Sequence, residues 1–197
     1  MNNQDAIYLM MTYVFVGLFS PGPNVVLLTA SGARFGFKAT VPHILGVALG
    51  VGIIAGLTGL GIGVLILTVP WLIFGLKIVA ALWILWMAWG LWQARPFTKR
   101  ETGIRPFTFV EAVLFQAVNP KIWIVALAAA IYISDFPPSQ QAMYLAAAFS
   151  GINLLVCLFW TWAGSLLSLL LNNPRAWQIS MRIMAVALAG FSLAVFL

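Results

Sequence analysis

Apolar residues along this chain arrive in long runs rather than in alternation, and polar residues gather in short clusters between the runs. The stretch from Ile44 to Leu76 carries no charge at all, and ~18 or more such residues in a row read as a membrane-crossing helix. Six runs predict spans at 6–30, 42–67, 71–92, 108–133, 141–171 and 176–196. The first connection holds Arg34 and Lys38, and the second, Thr68-Val69-Pro70, is an uncharged tight turn. The third is the most polar, with Arg95, Lys99, Arg100, Glu101 and Arg105. The fourth holds Asp135 before Pro137-Pro138, a helix stop; the fifth is Asn172-Asn173-Pro174-Arg175, with Arg182 early in the last span. At roughly 20 residues per span, six spans use up the 197 residues. The expected fold class is therefore an all-α integral membrane protein of six helices. It forms one transmembrane domain, 1–197, with halves at about 1–92 and 108–197 and a loop at 93–107.

Composition narrows the setting. The chain is 63% hydrophobic and only 7% charged, against about 25% charged in soluble domains, so its surroundings are the lipid bilayer. A net charge of +6 would suggest nucleic acid in a soluble protein; here the basic residues sit between apolar runs, where they mark cytoplasmic loops. The odd connections together with Arg182 hold eight of the ten Lys and Arg, and the even connections and both ends hold none. That partition predicts odd loops in the cytoplasm and both termini outside, which requires an even number of spans. The N-terminus lacks a positive segment ahead of its first apolar run, so the first span is expected to be retained rather than cleaved.

Proline interrupts two spans. Ser20-Pro21-Gly22-Pro23-Asn24 falls past the middle of the first, and Asn119-Pro120-Lys121 near the middle of the fourth. Ser20-Pro21 and Asn119-Pro120 each have the form of a capping residue followed by proline at the first helical position, which is how a helix restarts. Missing proline N–H groups leave the carbonyls of Gly17, Phe19 and Gln116 without their helical donors. Unpaired backbone at membrane depth is tolerated where protein or a wet cavity satisfies it, and simple proline kinks are common there. These two breaks, however, occupy corresponding places. Pro21 and Pro120 are 99 residues apart, each in the first span of a three-span half, and a basic residue follows a tryptophan in both third spans (Trp71/Lys77, Trp177/Arg182). A three-span unit repeated must be inverted, and paired broken helices in inverted halves point to a midplane transport site.

The segments Ser20-Pro21-Gly22-Pro23-Asn24, Gly36-Phe37-Lys38-Ala39 and Gly46-Val47-Ala48-Leu49-Gly50 resemble the first third of the lysine exporter/homoserine-threonine exporter family. Asn119-Pro120-Lys121 is similar to that family's second signature, and Lys77 with the small residues after it to its third span. Phe115-Gln116-Ala117-Val118-Asn119 resembles the cysteine and O-acetylserine efflux branch. Size and span count agree over the full length. Val51 departs from the family, which often carries a polar residue there. The resemblance implies efflux of amino acids or their derivatives across a bacterial inner membrane, driven by the proton gradient, with no cofactor and no enzymatic activity.

The candidate residues follow. A broken helix offers N–H groups to a carboxylate and carbonyls to an ammonium, the two ends of a zwitterion. The substrate-binding or transport candidates are Ser20, Pro21, Gly22, Pro23, Asn24, Asn119, Pro120, Lys121 and Lys77. Lys121 at mid-depth is a functional candidate by default, whereas Lys77 lies close enough to a span end to snorkel. His43 and Glu111 are candidates for a proton relay, with a boundary histidine and a helix-dipole carboxylate as the plainer readings. Glycines of the second span at spacings of four (Gly46/Gly50, Gly52/Gly56, Gly59/Gly63) predict close helix packing, either internally or in a homo-oligomer. Trp83, Trp86, Trp89 and Trp92 read as packing, lipid-facing or interfacial residues.

Other classes fit less well. Thiol-redox carriers need two cysteines and Cys157 is the only one. One His and one Cys are too few for metal export. An intramembrane hydrolase would need an HExxH motif or a Ser/His/Asp set. A passive small-solute channel remains the main rival, since broken helices also line pores.

Overall fold

A computed structural model describes residues 2–63, 68–94, 105–170, 173–194 and 196. Arg95, Lys99, Arg100, Glu101 and Asn172 lie outside the described residues. Eight helices are described: α1 (Asn3–Phe19), α2 (Pro23–Phe35), α3 (Phe37–Gly59), α4 (Pro70–Trp92), α5 (Phe109–Val118), α6 (Pro120–Ile131), α7 (Pro138–Leu170) and α8 (Pro174–Ala194). Four of them, α3, α4, α7 and α8, are long and apolar enough to cross a bilayer unaided. α1 with α2 and α5 with α6 each form a bent pair, at 55° and 66°, bringing the candidate spans to six if each pair crosses once.

Three boundaries differ from expectation, two of them at glycine. The connection between the first two spans shrinks to Gly36, which caps α2 and starts α3 at φ 81°, a left-handed conformation open to glycine at little cost. Arg34 and Lys38 are therefore helical rather than in a loop. α3 stops at Gly59, short of the expected end, and the chain turns at Gly61 with φ 88°. Pro138, read as part of a stop, is instead the first residue of α7, where its missing N–H has no helical partner to lose.

The packing pattern joins the two halves. α3 lies along α7, α4 along α8, and each broken pair packs on the long second helix of the other half: α1 and α2 on α7, α5 and α6 on α3. Small residues permit this. Cβ atoms at Gly46 and Gly50 would strike α5, and at Gly52, Gly56 and Gly59 they would meet α7. The stripe is thus used inside the protein. Gly32 and Gly164 bring α2 and α7 into mutual backbone contact, each facing a carbonyl of the other helix, Thr161 and Thr29.

One apolar core lies among α1, α3, α6 and α7, including Val14, Val47, Val51 and Phe149. A second joins α4 and α8 to α2 and α5 through Ile84, Leu188, Leu27 and Phe115. Trp71 points outward, as a lipid-facing residue does, and Trp86 and Trp89 are exposed, while Trp83 packs edge-on against Phe115. Arg182, two turns into α8, sits 5.1 Å over the ring of Trp92, the last residue of α4, and so ties the first half of α8 to the start of the third connection. Tyr13 and Tyr132 meet at 5.6 Å toward the opposite end, where the fourth connection begins.

Candidate functional site

The two breaks meet. α1 ends at Phe19 with Ser20 as its C-cap (φ −61°, ψ 147°), and α2 starts at Pro23 behind an extended Gly22 (φ −177°, ψ 178°). The expected restart at Pro21 is thus displaced to Pro23. The physical reason is Pro23 itself: its ring disfavours helical geometry in the residue before it, so no helix begun at Pro21 could pass Gly22. In the fourth span the restart falls as expected, with Asn119 as N-cap and Pro120 opening α6. Asn119 makes no side-chain capping bond, however; its Nδ2 turns back toward Gln116 Oε1 at 3.4 Å.

Two of the carbonyls freed by proline, Gly17 and Gln116, and the neighbouring Ala117 find other donors within the chain. Gly17 O accepts from Ser20 Oγ at 2.9 Å, and Gln116 O accepts from the Asn119 N–H at 3.2 Å. Ala117 O accepts from Trp123 Nε1 at 2.9 Å. The carbonyls that carry a charge belong to the unwound segment itself. Lys121 Nζ donates to Ser20 O at 2.6 Å, Ser20 Oγ at 3.0 Å and Pro21 O at 3.2 Å. Gly22 makes this approach feasible, since a Cβ there would stand 2.9 Å from both Cδ and Nζ of Lys121. Two amides tie the breaks a second time. Asn24 Nδ2 donates to Gln116 Oε1 at 2.9 Å, and Gln116 Nε2 donates to Asn24 Oδ1 at 3.3 Å and Ala112 O at 2.9 Å.

A small cavity of about 10 Å³ lies between the breaks, room for about one water. Gly22, Asn24, Asn119 and Lys121 line it from the broken helices, and α7 supplies Asn153 and Trp160. Asn119 Oδ1, Asn153 Nδ2 and Trp160 Nε1 are buried without a hydrogen-bond partner among the described residues. Buried polar atoms are rarely left so, at about 1–3 kcal/mol each. Gln116 and Asn153 were not among the sequence candidates. A signal existed for both: each is a polar residue inside an apolar span.

A second cavity of about 380 Å³ opens beside α2, lined by Arg34, His43, Trp86, Arg105, Phe107 and Glu111 among others. His43 and Glu111, proposed separately from sequence, are thus brought to one wall. His43 is buried against Phe107 with a ring separation of 5.2 Å, and its Nδ1 has no partner among the described residues. Glu111 combines two roles. It closes a capping box with Thr108 at the start of α5, a Thr-x-x-Glu signature legible in the sequence. It also takes Arg105 bidentately at 2.6 and 2.8 Å, which raises the already high Arg105 pKa. Lys77 lines neither cavity and is partly exposed on α4. Among the described residues no cluster of His, Cys, Asp or Glu could hold a metal ion, and Cys157 is buried in the apolar core.

The chain is 28% identical over 152 residues to the cysteine/O-acetylserine efflux protein of Salmonella typhimurium, covering 76% of this chain and 74% of that one. It is 27% identical over 161 residues to the protein of that name from Escherichia coli K12, covering 79% and 80%. No solved structure matches. A family profile described as LysE type translocator matches residues 15–197, and with a membrane-crossing helical fold broken at paired prolines the chain belongs to that family.

Proposed function

We propose that this protein is a secondary active exporter of amino acids or their derivatives, of the cysteine and O-acetylserine class named for its relatives. The proposal places it in a bacterial inner membrane as six spans in two inverted halves, with odd connections in the cytoplasm and both termini outside. Reciprocal packing of each broken pair on the other half supports the two-fold arrangement. Juxtaposed Arg182 and Trp92, and the shared cavity of Arg34 and Arg105, support a common face for the odd connections.

The observation that carries the function is the Lys121 ammonium on the Ser20 and Pro21 carbonyls. It occupies the position that unwound carbonyls offer to a substrate ammonium. In the resting state Lys121 thus stands in for the cargo, so neither the buried cation nor the carbonyls lack a partner. An arriving amino acid exchanges with it: the substrate ammonium takes the carbonyls, and the displaced Lys121 takes the substrate carboxylate. The larger cavity is the cytoplasmic vestibule, and His43 and Glu111 in its wall are the proton-coupling groups. A break cavity sized for about one water must widen to admit an amino acid, as a carrier that changes shape between states does and a permanently open pore does not.

The test is transport in proteoliposomes. Labelled cysteine or O-acetylserine should show counterflow, and an imposed pH gradient should accumulate it above equilibrium in a protonophore-sensitive way. Equilibration without accumulation would make the protein a channel, and absence of flux for every amino acid would remove the proposal.

A further inference from the structure

Helix α7 has no part in the exchange just described, yet it forms one wall of the break cavity with Asn153, Val156, Cys157 and Trp160. Two hydrogen-bond donors on that wall are unused among the described residues, the Asn153 amide and the Trp160 indole N–H. Across from them is an unused acceptor, Asn119 Oδ1. Asn153 and Asn119 are 3% and 1% exposed, so bulk solvent does not serve them. Most buried polar atoms in proteins are paired; here three unpaired ones belong to residues that line one small space. A single water fits there and could serve both donors and the acceptor. A hydroxyl has the same complement, accepting twice and donating once.

We propose that Asn153, Trp160 and Asn119 form a side-chain subsite in which an oxygen on a short substrate side chain replaces this water, and that Asn153 is a specificity-determining residue. The subsite rests on the exporter reading above: the amino and carboxylate groups are held at the breaks, and the side chain is read by α7. The substrate class it selects is short amino acids with a side-chain hydroxyl over alkyl isosteres of equal size. Apolar neighbours such as Leu18, Val156 and Cys157 bound the space and limit side-chain length.

The probes are L-serine and L-2-aminobutyrate, which differ by a hydroxyl against a methyl. Wild-type protein in counterflow should favour serine by about tenfold in kcat/KM, the scale of one or two neutral hydrogen bonds. Asn153→Leu should bring the two substrates within about threefold by losing serine while sparing 2-aminobutyrate. Trp160→Phe keeps the ring and removes only the donor, so it should lower the preference by about threefold even if Asn153→Leu fails to fold. Equal losses for both substrates, or an unchanged ratio in Trp160→Phe, would overturn the subsite. Wild-type exchange of amino acids without preference for serine would overturn the subsite alone, whereas no amino-acid exchange at all would remove the exporter reading with it.

Discussion

Replacing Lys121 by methionine removes the ammonium and keeps the stem. In the resting protein this abolishes contacts of 2.6, 3.0 and 3.2 Å to Ser20 and Pro21. Stability should change little. The variant loses charge-assisted bonds but also the cost of holding a cation out of water, and the freed acceptors can take a water instead. The expected net is within about 2 kcal/mol, a fall of under about 8 °C in Tm for a chain of this size. Binding should change far more. Truncating one partner of a desolvated charge pair costs about 2–5 kcal/mol, so substrate affinity should drop by about 30-fold to several thousandfold. Binding calorimetry in detergent, beside thermal unfolding of the same sample, separates the two effects. Lys121→Arg should also be impaired, because a planar fork does not replace a compact ammonium. Substrate binding by Lys121→Met within threefold of wild type, at normal abundance, would refute the exchange argument.

Other consequences follow from the same geometry. Gly22→Ala would drive a Cβ into Cδ and Nζ of Lys121; it should remain folded, since the obstacle is a flexible side chain, but bind substrate more weakly. Gly32→Ala and Gly164→Ala would each force a methyl onto backbone carbonyls and should cost about 3 kcal/mol or more, read as lost folded yield and Tm. Gly151→Ala, with nothing within 4 Å, is the control and should be tolerated. Asn24→Leu and Gln116→Leu should be coupled in a double-mutant cycle by about 0.5–3 kcal/mol, because each amide loses its partner in the other half; additive effects would argue against the cross-break bond. Reporter fusions after Lys38 and Arg175 should face the cytoplasm and a fusion at Leu197 the outside; a cytoplasmic C-terminus would contradict the proposed topology.

The fold was legible where one physical requirement dominates. Apolar run length located the long apolar helices, and paired prolines located the breaks, because few structures other than a helix are viable in lipid. Lys121 stood out because a cation at mid-depth needs a partner. The expected restart at Pro21 moves to Pro23 through the local restriction that Pro23 places on Gly22. Other features depended on tertiary contact. The carbonyls of Gly17 and Gln116 are orphaned by proline, yet Ser20 Oγ and the Asn119 N–H reclaim them; no spacing rule predicted which carbonyls Lys121 would reach. The glycines of α3 announced close packing, but their division between α5 and α7 is a property of the assembled bundle. Gln116 and Asn153 were visible as polar residues in apolar runs. Their significance came from facing one cavity, a fact recorded in no single segment.

The central claim, that the two breaks together form the substrate site, is tested most directly by making both helices continuous. Replacing Pro21, Pro23 and Pro120 with alanine restores N–H donors along both spans and favours unbroken helices. It withdraws the carbonyls of residues 20 and 21 from Lys121. The account predicts a stable, correctly inserted triple variant that neither binds substrate in detergent nor exchanges it in vesicles. Binding and counterflow at wild-type levels in that variant would contradict it.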